Sequence, residues 1–109
     1  MISSYKVLGQ VKPAATTDTT LYTVPASTET VVSTLSVTNM SASATTFRVR
    51  IKVNNAADDD KQYLAFNAPV AVKDLLLFTF GASLAAGDVV RVYSTSGDLV
   101  FQLFGTELA

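Results

Sequence analysis

Apolar and polar residues alternate along most of this chain with a period of two, the spacing of a strand with one buried face. The run TFRVRIKV (46–53) is the cleanest case. Phe47, Val49, Ile51 and Val53 fall on one side and Arg48, Arg50 and Lys52 on the other. TVVSTLSVTN (30–39) places Val31, Leu35 and Val37 against Thr34, Ser36 and Thr38. Further strands are expected at about 4–11, 20–24, 62–66, 74–80, 88–94 and 98–104. Turn chemistry separates them at short intervals: Pro13 with ATTDTT, Pro25 with AST, NNAADDDK, Pro69, GASLAAG and STSG. The links NMSASAT and STSG suit hairpins, joining 30–39 to 46–53 and 88–94 to 98–104. Only AADDDKQYLA offers a short helical turn. About eight short strands without an amphipathic helix predict an all-β chain, a single antiparallel β-sandwich of jelly-roll or Greek-key type. Residues 1–109 read as one domain, with 1–20 an extended arm plus the first strand.

Three strands break the alternation. DLLLFTF puts Leu76, Phe78 and Phe80 on one face but Leu75 and Leu77 on the other. DLVFQLF puts Leu99, Phe101 and Leu103 opposite Val100, Gln102 and Phe104, and in VVRVY Val90 and Val92 oppose Val89, Arg91 and Tyr93. Burying one large apolar side chain is worth about 1.5–3 kcal/mol, so a second face of this kind calls for a cover. A sandwich this small has few spare loops to supply one. A cyclic homo-oligomer, with Leu75, Leu77, Val100 and Phe104 as interface candidates, is therefore expected.

Composition agrees with association. Only 16% of residues are charged, against about 25% in an average soluble domain, and the net charge is −1. Weak self-repulsion of this kind favours assembly. It also leaves no whole-domain footprint for nucleic acid, and no apolar run approaches the ~20 residues of a membrane span. MISSYKVLGQ lacks the apolar core of a secretory signal, so a soluble chain without a secretory address is expected.

Candidate chemistry is thin. With no His and no Cys, Ser-His-Asp and Cys-His arrangements and ordinary zinc sites are impossible. Asp88 and Asp98 each follow a glycine at a strand entrance and read as turn residues before they read as a catalytic pair. The Asp58–Asp60 run lacks the ligand spacing of an EF-hand and reads as a solvated loop. The stripe Arg48, Arg50 and Lys52 is expected to have no aromatics interleaved on its face. It suggests contact with acidic groups of a neighbouring subunit, such as the Asp58–Asp60 loop, before nucleic acid. Tyr5, Tyr22, Tyr63 and Tyr93 are scattered over separate strands and suggest sheet packing, not a sugar-stacking platform. No enzyme activity, cofactor or metal is expected.

The segments KVLGQVKPAATTDTTLYTVPA, TVVSTLSVTNMSASATTFRV, YLAFNAPV and LAAGDVVRVYSTSGDLVFQLFGTEL, taken together, resemble small virion structural proteins of tailed bacteriophages, including those of cyanobacteria. The resemblance spans nearly the whole chain and rests on turns and strand patterns. It implies a non-enzymatic β-sandwich present in many copies in the virion, assembled in the host cytoplasm, with no catalytic residues to carry over. A capsid decoration (cement) protein follows as the first expectation, a trimer bound to the major capsid protein or another virion protein. A tail, neck or fibre component, including a glycan-binding host-recognition module, is the alternative.

Overall fold

The period-two segments fold as strands in a computed structural model that describes residues 3–109, the side chain of Phe80 excepted. In chain order they are β1 (Ser3–Val11), β2 (Thr19–Thr23), β3 (Glu29–Asn39), β4 (Thr45–Lys52), β5 (Tyr63–Val70), β6 (Leu75–Leu84), β7 (Val89–Ser94) and β8 (Leu99–Leu108). Two single 3-10 turns, Val53–Asn55 and Asp60–Gln62, lie between β4 and β5. The second realises the short helical turn expected near Asp60. Asp59 caps it, accepting from the Lys61 backbone N–H while Gln62 Oε1 accepts from the Asp59 N–H.

The strands form two four-stranded antiparallel sheets, β1-β8-β3-β6 (sheet I) and β2-β7-β4-β5 (sheet II). The two orders run in step, 1 with 2, 8 with 7, 3 with 4 and 6 with 5. Every connection except β4–β5 therefore crosses from one sheet to the other. This is the eight-stranded jelly roll, the first of the two topologies that the strand spacing allowed.

Two expected hairpins are absent. β3 and β4 lie in opposite sheets, and so do β7 and β8, so NMSASAT and STSG are inter-sheet corners. Short polar loops of this length serve either purpose, because facing sheets are only about 10 Å apart. Asn39 braces the first corner. Its Nδ2 donates to the Ser43 and Ala71 carbonyls and its Oδ1 accepts from the Ser41 N–H. Three strands also run further than the turn residues suggested. β5 continues through Pro69, which an edge strand tolerates, β6 continues through Gly81 to Leu84, and β8 continues to Leu108.

Between the sheets lies one continuous apolar core. Leu35, Val37, Leu99, Phe101 and Leu103 come from sheet I, and Phe47, Val49, Val90 and Val92 from sheet II. The Phe47 ring sits at its centre, 6.0 Å from Phe101 and 5.8 Å from Phe78. Close approach of backbones explains Gly105. A Cβ there would come within 2.3 Å of the Val31 carbonyl oxygen, at the bulge where Ser33 is inserted into β3.

A polar clasp ties the two sheets at one end. Tyr22 of β2 reaches across so that its hydroxyl lies 2.8 Å from Thr30 Oγ1 and donates to Glu107 Oε2 at 2.5 Å. Lys6 completes the group as an ion pair with Glu107. Burial and the adjacent Glu107 carboxylate push the Tyr22 hydroxyl up to about 12. Hydrogen bonds from Lys6 and Tyr22 hold the Glu107 carboxyl below the usual carboxylate range.

Candidate interaction surface

The outer face of sheet I gathers the four apolar candidates. Directly paired residues of an antiparallel ladder share a face, and Leu99, Phe101 and Leu103 point inward, so their alternates point outward. Four rows cross the sheet on that side. They are Val100–Thr38–Leu75, Gln10–Gln102–Ser36–Leu77, Val7–Phe104–Thr34–Thr79 and Tyr5–Thr106–Val31–Ser83. None of these fifteen positions carries a charge. Leu77 is 61% exposed, Leu75 50% and Val7 48%, while Val100 and Phe104 are half-buried among their neighbours. Polar contact across the face is limited to neutral groups, as where Gln10 Nε2 donates to Gln102 Oε1. Ordinary surface sheets are studded with Lys and Glu, which blunt sticking. These four rows have none.

The apolar surface continues around the sandwich edge. β5 and β6 are both edge strands and lie on the same side of the sandwich, leaving Leu64, Phe66, Val72 and Phe78 substantially exposed. A cleft of about 250 Å³ opens between them, lined by Leu35, Phe47, Val49, Leu64, Ala65 and Phe78.

The outer face of sheet II is its opposite in character, because Arg48, Arg50 and Lys52 of β4 and Arg91 of β7 all point outward there. Their partners come from the same chain. Asp58 Oδ1 lies 2.9 Å from both Arg50 Nη1 and Lys52 Nζ, and Asp18 Oδ2 accepts from Arg91 Nε at 2.8 Å. Arg50 and Lys52 thus hold within the chain an aspartate of the loop that was expected to reach them from a neighbouring subunit. The NNAADDD loop folds back over its own strand because β4 and β5 are paired neighbours. The Lys52 ammonium, foremost, and the Arg50 guanidinium lower the Asp58 carboxyl below its usual range. Arg50 also donates to the Tyr63 hydroxyl, its guanidinium lies 4.6 Å from that ring, and its buried Nε finds no partner among the described residues.

Aromatics, too, interleave with these cations, contrary to the reading of β4 alone. The Arg48 guanidinium lies 4.3 Å from the Phe66 ring centroid and 4.5 Å from that of Tyr93, and Tyr63 packs edge-on against Phe66 at 4.9 Å. These rings belong to β5 and β7, which flank β4 in space and not in sequence. The pairing Tyr93 opposite Arg48 explains what covers the second face of VVRVY: the chain's own arginines do.

The remaining candidates are structural in their surroundings. Asp88 is buried, with Oδ1 accepting from the Asn54 N–H and Oδ2 from the Ala85 N–H, so it fastens the turn before β7. Asp98 is exposed beyond the other end of β7, so the two carboxylates do not converge. Among the described residues no group of three or more Asp, Glu, His or Cys side chains is placed to hold a metal ion.

No protein-family model matches the chain, and no curated protein is significantly similar to it. Among solved structures, two crystal structures of a pentameric capsid protein isolated from metagenomic phage sequences are similar. Both are 18% identical in sequence, with TM-scores of 0.40 and 0.36. The matches cover 95% of this chain but only 63% and 64% of those longer chains.

Proposed function

We propose that this chain is a non-enzymatic structural subunit of a bacteriophage particle, acting as a capsid decoration protein that assembles as a cyclic homo-oligomer. The observation that carries the reading is the block of four charge-free rows on the outer face of sheet I, where Tyr5, Val7, Val31, Leu75, Leu77, Val100 and Phe104 stand among neutral Thr, Ser and Gln. Such a face is costly to leave in water and inexpensive to bury, since no ion has to be desolvated with it. Jelly rolls are a recurrent architecture of viral capsid domains, where rigid edges and flat sheet faces serve as contact surfaces. Their other common uses are lectins and cupins. A cupin-type metal centre has no histidine to draw on here.

In this reading the sheet I face packs against its equivalents on other copies, with three copies the expected number. The exposed edge formed by β5 and β6 grips the shell beneath. Added contact area across capsomer boundaries would then stabilise the shell against internal pressure, a task that needs area and complementarity and no reacting group.

Particles purified with this chain provide the test. Densitometry should find it at hundreds of copies per particle, released together when the shell is disrupted. Recovery at tens of copies or fewer, with tail fractions, would instead assign it to a tail, neck or fibre part and overturn the decoration role.

A further inference from the structure

We infer that Arg48 is a preorganised carboxylate receptor on the outer face of sheet II, and that its occupant is Asp60 of a second copy of this chain. The inference deepens the reading of the chain as a self-assembling subunit, and it concerns the face opposite the apolar one.

Four cations share the outer face of sheet II, and Arg48 is the exception among them. Arg50 and Lys52 hold Asp58, and Arg91 holds Asp18, whereas no carboxylate contacts Arg48 among the described residues. Its guanidinium is nonetheless fixed on three sides. The rings of Phe66 and Tyr93 lie at 4.3 and 4.5 Å, and Nε donates to Asn67 Oδ1 at 2.8 Å. With Nε engaged, Nη1 and Nη2 remain. Neither is buried without a partner, so both keep access to solvent. Two parallel N–H donors held in one plane match the two oxygens of a carboxylate. Ordering the side chain beforehand removes most of the entropy cost that makes exposed ion pairs weak.

The clamp is built by a local irregularity in β5. Between the pairs Phe47–Ala68 and Val49–Ala65, β5 carries one residue more than β4, so Phe66 and Asn67 both stand opposite Arg48. Asn67 takes a left-handed φ of 51° to complete the bulge. Such a conformation is unfavourable for a side-chain-bearing residue, and here it turns the Asn67 amide onto Arg48. Exposed Phe66 and half-buried Tyr63 and Tyr93 surround the guanidinium, a composition of rings and arginine typical of interface hot spots.

Charge complementarity selects the occupant. Most carboxylates of the chain are already engaged: Asp18, Asp58 and Glu107 with cations, Asp59, Asp74 and Asp88 with backbone N–H groups. Glu29, Asp60 and Asp98 have no side-chain partner among the described residues. Glu29 stands at the start of β3 and Asp98 in the β7–β8 corner, outside sheet II. Asp60 is exposed in the 3-10 turn that abuts β4 and leads into β5, beside the arginine face. A two-fold contact requires donor and acceptor on the same surface, so that each copy supplies both. Arg48 and Asp60 meet that requirement, giving two identical ion pairs per contact.

The test is sedimentation velocity with charge reversals, made in a Leu77→Glu background so that only the sheet II contact is read. Arg48→Glu and Asp60→Arg should each weaken dimerisation by at least about tenfold, and their combination should restore it to within about threefold. Arg48→Lys, which keeps the charge but not the planar fork, should recover only part of the affinity, and added salt should weaken the wild-type contact. A double reversal no tighter than the single ones, or association indifferent to Asp60→Arg, overturns the proposal. If Arg48→Glu fails to fold, Asp60→Arg and Asp60→Asn decide alone, because their site is an exposed turn. The wider assembly reading fails differently, through wild-type chains whose association is unaffected by Leu77→Glu itself.

Discussion

At the scale of single residues, the side chains that look reactive on paper are tied into the scaffold. Tyr22 is the clearest. Its hydroxyl bridges Thr30 and Glu107 across the sandwich, and burial together with the Glu107 carboxylate raises it to about 12, from an ordinary value near 10. The linkage has a definite sign. An unfolded Tyr22 loses its proton near pH 10 while the folded one keeps it, so the clasp's contribution is complete below pH 10 and is lost as pH rises toward 12. Phenolate absorbance should show a titration phase of Tyr22 at the alkaline end, near pH 12. Tyr22→Phe should abolish that phase and flatten the fall in stability between pH 10 and 12. Glu107 acts in the opposite direction. Its lowered carboxyl contributes above the unfolded value and is lost only on acidification through its depressed folded one.

At the scale of elements, what the chain reveals by itself is whatever depends on period two. The eight strands and most of their inward residues follow from alternation. Val31, however, does not share the face of Leu35 and Val37, because the bulge at Ser33 turns it outward. Val53 is exposed in the 3-10 turn beyond β4. Sheet membership is a different matter. Nothing in NMSASAT or STSG distinguishes a hairpin from a corner, and only the pairing of β3 with β8 and β6, far away in sequence, decides it. The same reasoning separates the two candidate surfaces. Leu75, Leu77, Val100 and Phe104 were legible because each breaks its own strand's pattern. The Arg48 clamp was not, since Phe66 and Tyr93 reach it from β5 and β7. A sharp contrast follows for substitutions in one sheet. Leu103→Ala on central β8, fully buried, should cost about 2–5 kcal/mol in urea unfolding. Leu77→Ala on edge strand β6, being largely exposed, should change the monomer's stability by no more than about 0.5 kcal/mol. Comparable losses at both positions would mean that the outer face of sheet I is already covered within the monomer.

At the scale of the whole molecule, the two outer faces divide the surface by chemistry. Sheet I presents neutral and apolar rows; sheet II presents arginines, rings and paired aspartates. A single chain with two such faces can make contacts of two kinds, one driven by apolar area and one oriented by charge. That combination suits a subunit that must associate in many copies and in one arrangement. The central claim is that the block of charge-free rows on sheet I is an assembly surface, and sedimentation velocity of wild-type against Leu77→Glu tests it most directly. The account predicts a defined oligomer for the wild type and species no larger than a dimer for Leu77→Glu, with the variant still folded and unfolding cooperatively. A wild type that sediments as a monomer at tens of micromolar, or a Leu77→Glu protein with an unchanged oligomer, would contradict it.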